Sequence, residues 1–164
     1  MRFVLMVLVV LTAPLAMAET KVGVVDMERA LFLSEDAKAA AQQFEADNAD
    51  AIKKVRDIEK ALVDMKEKRE KEADFMSDDQ LKKLAADYEE KARERQFFLE
   101  KLQKQDQAWR QQFFRSKLPE LENLLKALIE EGKYDIVLQA GAVVYSAPSS
   151  DLTKPLLERL NTKK

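Results

Sequence analysis

This chain contains no cysteine and no histidine. Thiol chemistry, imidazole general-base catalysis and the usual Zn and Cu ligand sets are thereby excluded together. Its three glycines and four prolines form neither a Gly-rich phosphate loop nor a Ser nucleophile elbow. Carboxylates are plentiful, but they sit on charged helical faces with no reason to converge, which is the pattern of a solvated surface. No enzyme activity and no cofactor or metal are expected. Net charge is also missing, with 28 basic against 30 acidic side chains. No nucleic-acid partner is expected from such a balance.

The one sustained apolar run, Phe3 to Leu11, is too short for a membrane span. Preceded by Arg2 and followed by Pro14 and Ala16-Met17-Ala18, it has the basic end, apolar centre and small-residue cleavage site of a secretory signal peptide, residues 1–18. An exported chain without cysteine fits a bacterial periplasm better than an extracellular fluid, where small domains lean on disulfides. The expected localisation is the periplasm.

What the sequence does have is a long palindromic pattern. Ala37, Ala41, Phe44, Ala51, Val55, Ile58, Leu62 and Met65 step by threes and fours, and after a break Leu81, Ala85, Tyr88, Ala92, Leu99, Leu102, Trp109 and Phe113 do the same. Folding the chain about Met76 and Ser77 brings Phe44 to Trp109, Val55 to Leu99 and Met65 to Tyr88, with Asn48 opposite Asp106 and Arg95 opposite Ile58. Ser77 with Gln80 forms a capping box, and Ser34 before Glu35 and Asp36 caps a second helix. No Gly or Pro lies between Ser34 and Leu118, so each limb can run about forty residues, or roughly 60 Å. Residues 35–50 hold one Lys and five acids, while 103–117 hold four bases and one Asp. The antiparallel register therefore also sets opposite charges side by side.

The flanks differ from this hairpin. Val22 to Val25 reads as a short β-strand, and Asp26 caps a brief helix through Phe32. Pro119 is expected to open a helix through Leu121, Leu124, Leu125, Leu128 and Ile129 that stops at a left-handed Gly132. Residues 134–138 and 142–145 read as two further strands, and Asp151 caps a last helix with Leu156, Leu157 and Leu160. The expected fold is α+β, mostly α: a small β-containing body (19–33 and 118–164) carrying a long antiparallel coiled-coil hairpin arm (34–117). A body of about sixty residues is marginal alone, so a symmetric oligomer is expected. Val22, Val24, Ile136, Leu138, Val143 and Tyr145 on the short strands are its candidate contacts.

Residues 21–32 (KVGVVDMERALF), 132–138 (GKYDIVL), 141–145 (GAVVY) and 151–153 (DLT) resemble the Skp, or OmpH, family. The resemblance spans the chain after residue 18 and is strongest in the flanks. It implies a periplasmic holdase chaperone, a homotrimer whose three arms surround a cavity for unfolded outer-membrane β-barrel proteins. Family members are often strongly basic, whereas this chain is slightly acidic, which leaves membrane or lipopolysaccharide contact open.

Most large apolar residues of the arm lie on the seam, but Phe97 points nearly opposite it and Phe114 well to its side. Residues 82–117 hold ten bases and six acids, including Lys101, Lys104, Arg110 and Arg115. These six residues are the candidate client contacts. A holdase needs weak, scattered and unspecific contacts, which charged walls with sparse aromatics supply. Nothing in the sequence binds nucleotide, so release would come from the client folding elsewhere. The rival reading is an exported coiled-coil structural or adaptor protein of the cell envelope.

Overall fold

The computed structural model describes residues 20–162, so the signal-peptide reading falls outside the described residues. Strand β1 (Val22–Val25) leads into α1 (Met27–Phe32), α2 (Glu35–Asp47) and α3 (Ala49–Glu72). A turn then reverses the chain into α4 (Asp78–Gly132), and β2 (Ile136–Gln139) and α5 (Thr153–Thr162) close it. Helices α1, α2 and α4 each start on the cap their sequence announces. Asp26 accepts from the Arg29 N–H at 2.9 Å, and Ser34 Oγ from the Ala37 N–H at 3.2 Å. At the reversal both halves of the capping box form, Gln80 N–H to Ser77 Oγ and Ser77 N–H to Gln80 Oε1.

The two limbs run in opposite directions. Cross-limb contacts pair Asp36 with Lys117 at 2.7 Å, Phe44 with Trp109 at a 5.3 Å ring separation, Lys54 with Glu94 at 2.9 Å and Glu59 with Arg95 at 2.7 Å. Arg95 thus meets Glu59 beside the buried Ile58. Ala37, Val55 and Ile58 are buried along the arm, whereas Tyr88 near its far end is 40 % exposed. The seam thins toward the tip.

Two features of the limbs depart from expectation. The first limb is interrupted at Asn48 (φ −108°, ψ 12°), whose Nδ2 donates to the Phe44 carbonyl at 2.8 Å. Asp106 instead accepts from Arg110 Nε at 3.0 Å. The expected Asn48 to Asp106 pair is not made because each side chain finds a partner on its own helix, as Asn readily does where a backbone carbonyl is at hand. The second limb continues unbroken through Pro119, which therefore opens no new helix. Proline removes one N–H, and the carbonyl it orphans belongs to the exposed Arg115, where water can satisfy it.

The core sits at the root of the arm. Val25, Ala30, Leu31, Leu121, Leu152 and Leu156 form one buried cluster, with Phe113, Leu124, Leu128, Tyr134 and Val137 packed around it. Beside it β1 and β2 pair in parallel, Val22 with Ile136 through Val25 with Gln139. The long crossover that parallel strands require is here the whole arm. The left-handed helix end falls on Lys133 (φ 51°), one residue later than expected. Gly132 is needed for space: a Cβ there would lie 2.3 Å from the Tyr134 ring. Lys21 locks this corner, donating to the Gly132 carbonyl at 2.7 Å from above the Tyr134 ring.

Residues 142–145 form no strand among the described residues. A 3₁₀ turn (Ala140–Ala142) ends β2, and Val144 and Tyr145 stand 106 % and 83 % exposed. The turn leads the chain away from β2, and the segment pairs with neither strand among the described residues. Because Leu121 is fully buried, Leu121→Ala is expected to cost about 2–5 kcal/mol in urea unfolding. Phe75→Ala at the exposed turn should stay within about 0.5 kcal/mol.

Candidate functional site

The six candidate contact residues divide by position along α4. Phe97 is 63 % exposed and meets Phe98 edge-to-face at 5.5 Å, so it stands in solvent as part of an aromatic pair. Lys101 and Lys104 follow on the same helix, both exposed. Phe114 lies 17 residues on from Phe97, about 25 Å along the axis. Lying to the side of the seam, it is half-buried and packed against the core cluster. The sequence reading placed Phe114 relative to the arm seam alone, and the body supplies the second wall.

Phe114, Arg110 and Arg115 are brought together with Gln111 and Glu28 around a shallow recess of about 180 Å³. Arg110 is held there by Asp106 and by stacking over the Phe32 ring at 5.0 Å. Phe32, Phe44, Trp109 and Phe113 form a chain of ring contacts at 5.3 to 6.2 Å that joins body to arm. On the body, Val24 is 7 % exposed and so lies inside the fold, whereas Val22, Ile136 and Leu138 are 37 %, 47 % and 42 % exposed. Val143 is half-buried and Tyr145 open to solvent.

The far part of the arm carries surface that the sequence reading missed. Phe75 is 89 % and Val63 55 % exposed. Between the limbs a recess of about 320 Å³ is floored by Met65, Leu84, Ala85 and Tyr88. The sequence pairs Met65 with Tyr88 across the seam, and Ala85 beside them is too small to fill the space between the limbs.

Charge binds the limbs between these surfaces. Glu94 is held below the usual carboxylate range by a hydrogen bond from Lys91 at 2.6 Å and then by Lys54 of the other limb at 2.9 Å. At the root, Lys117 is raised by its bond to Asp36 and, after a desolvation that opposes it, by Glu120. Between α4 and α5, Arg159 holds Glu131 below its ordinary value. No cluster that could hold a metal ion occurs among the described residues, nor a helix long and apolar enough to cross a membrane.

Residues 21–160 match the family described as Outer membrane protein (OmpH-like). The chain belongs to the OmpH-like family. It is 30 % identical over 160 residues to a Skp-like protein of Pseudomonas aeruginosa, covering 98 % of this chain and 95 % of that relative. It is 26 % identical over 153 residues to the Chaperone protein Skp of Yersinia enterocolitica, covering 92 % of each. The solved structure of an OmpH-like protein from Caulobacter crescentus shares the fold, with a TM-score of 0.53 at 20 % identity over 90 % of this chain and 87 % of that one. OmpH-like proteins are chaperones rather than enzymes, in keeping with a chain that lacks histidine and cysteine.

The charge ladder makes the OmpH-like arm sensitive to acid. A carboxyl whose folded value is depressed contributes fully above its ordinary value and loses that contribution as pH falls through the depressed one. Circular dichroism melts taken from about pH 7 down to about pH 3 should therefore show a falling midpoint. In Glu94→Gln the midpoint should start lower at neutral pH and fall less.

Proposed function

We propose that this protein is a periplasmic, ATP-independent holdase. In this reading it assembles as a homotrimer, captures unfolded outer-membrane β-barrel proteins in a cavity between its arms and prevents their aggregation. The observation that carries it is the arm surface. Phe75, Val63 and Phe97 are strongly exposed yet separated along helices rich in both signs of charge. Scattered apolar contacts on a soluble wall retain many unfolded chains, whereas one deep pocket would select a single ligand. Near end-to-end similarity to a chaperone relative supports the same assignment.

The division of labour follows the packing. Residues 34–117 serve as the arm, and 19–33 with 118–164 as the oligomerising body, α4 running from one into the other. Val22, Ile136 and Leu138, with the unpaired Val144 and Tyr145, give the body an exposed apolar surface. β2 is paired on one edge alone among the described residues, and such an edge invites a neighbouring chain. Release is driven by the client folding at its destination.

The direct test dilutes a urea-unfolded outer-membrane protein into buffer with and without the purified protein and follows light scattering. Suppression across several unrelated barrel proteins is expected. Binding of one folded partner at fixed stoichiometry, with no suppression, would establish the adaptor reading instead. Phe97→Ser should weaken client retention by up to about 1–2 kcal/mol while helicity stays constant.

Assembly has its own test. Sedimentation should give three times the chain mass for the unaltered protein, and Ile136→Lys should lower that mass. A monomer in the unaltered protein would remove the cavity from the proposal.

A further inference from the structure

We propose that Met65 is a modification site, whose oxidation to the sulfoxide by peroxide loosens the distal seam of the arm. The chain has no cysteine, so its thioethers are the softest targets for such an oxidant. Three methionines lie among the described residues, in unlike surroundings. Met27 packs against the core cluster of the body. Met76 stands in the turn between the limbs, its N–H donating to the Ala73 carbonyl at 3.2 Å. Met65 belongs to α3 and lines the recess of about 320 Å³ together with Leu84, Ala85 and Tyr88 of α4. Tyr88 on that wall is 40 % exposed, so the recess opens to solvent and admits a molecule as small as hydrogen peroxide.

The step balances with hydrogen peroxide as the sole co-reactant. A sulfur lone pair attacks one peroxide oxygen, the S–O bond forms as the O–O bond breaks, and a proton passes from the transferred oxygen to the departing one. Sulfur gives up two electrons, and water leaves. The product is a strong hydrogen-bond acceptor that is costly to leave unpaired in an apolar seam. Arg69 answers that need: it lies one helical turn beyond Met65 and lines the same recess. Its guanidinium has no hydrogen bond or ion pair among the described residues, so it is free to donate to the new oxygen. An oxidised side chain turned toward Arg69 withdraws from Leu84 and Tyr88. Met65 is the one apolar side chain that α3 contributes to this recess, and no residue from Glu59 through the turn to Arg95 is buried. Little else holds the limbs together there, so local opening follows. Sulfoxide reductases return the thioether, which makes the change reversible.

The test treats the purified protein with hydrogen peroxide, locates the added oxygen by peptide mass spectrometry and follows amide exchange along the chain. Met65 should be oxidised several-fold faster than Met27. Exchange in residues 59–95 should rise in step with Met65 oxidation while the body strands stay protected, and a sulfoxide reductase should reverse the rise. Met65→Leu keeps the apolar volume and should abolish the response to the same peroxide dose, whereas Met76→Leu should retain it. Oxidation of Met65 no faster than that of Met27 overturns the proposal. So does complete Met65 oxidation with unchanged exchange, or an equal rise in exchange in Met65→Leu.

Discussion

Leu121 on α4 is fully buried in one cluster with Leu31 of α1 and Leu156 of α5, and the placement of everything else follows from that cluster. α4 is 55 residues long, far more than the body needs, so whatever fixes its root also aims its far end. Helix α1 enters the same cluster and hands the chain directly to α2 through the buried Ser34. Both limbs are thus clamped at one end. A body this small can support so long a projection because the clamp gathers its most fully buried side chains, Leu31, Leu121 and Leu156.

Stability consequently grades along the molecule. At the root, aliphatic burial and the Phe32, Phe44, Trp109 and Phe113 contacts act together. In the middle, Val55 and Ile58 are buried and flanked by the Lys54 to Glu94 and Glu59 to Arg95 ion pairs. Exposed pairs of that kind contribute little individually. Beyond them the seam residues are half-exposed, and local opening costs least there. A surface that must accommodate unlike chains is better placed at the yielding end than at the clamped one.

Most of this architecture was legible in the sequence because helical period and capping are local. Ser34, Ser77 with Gln80, and the Phe44 to Trp109 register all follow from spacing. The misses share a different cause, competition between neighbours that a pattern does not rank. Asn48 could bond across the seam or back to Phe44, and the back-bond won. Pro119 is a strong helix opener, but the core contacts on either side of it, at Phe113 and Leu121, carry the helix through. Residues 142–145 have strand chemistry, but the 3₁₀ turn after β2 keeps them out of the sheet. Phe114 shows the same limit at the level of the candidate site, since its second neighbour belongs to a segment distant in sequence. The distal recess was invisible for the converse reason: periodicity marks which residues face each other and not whether their volumes fill the gap.

The parallel pairing of β1 with β2 has a consequence for the order of folding. The bond from Lys21 to Asp135 joins residues 114 apart, and closing so long a loop in a disordered chain carries a large entropic cost. The hairpin shortens that loop without touching either strand. Once the Ser77 capping box turns the chain, contacts between nearby residues can zip from the tip toward the root, and each step brings the two strands closer. The arm's contacts are closer in sequence than those of the two strands, so contact order favours forming the arm before the sheet. A newly made chain would then present its arm surface to solvent before it has completed the sheet of its body.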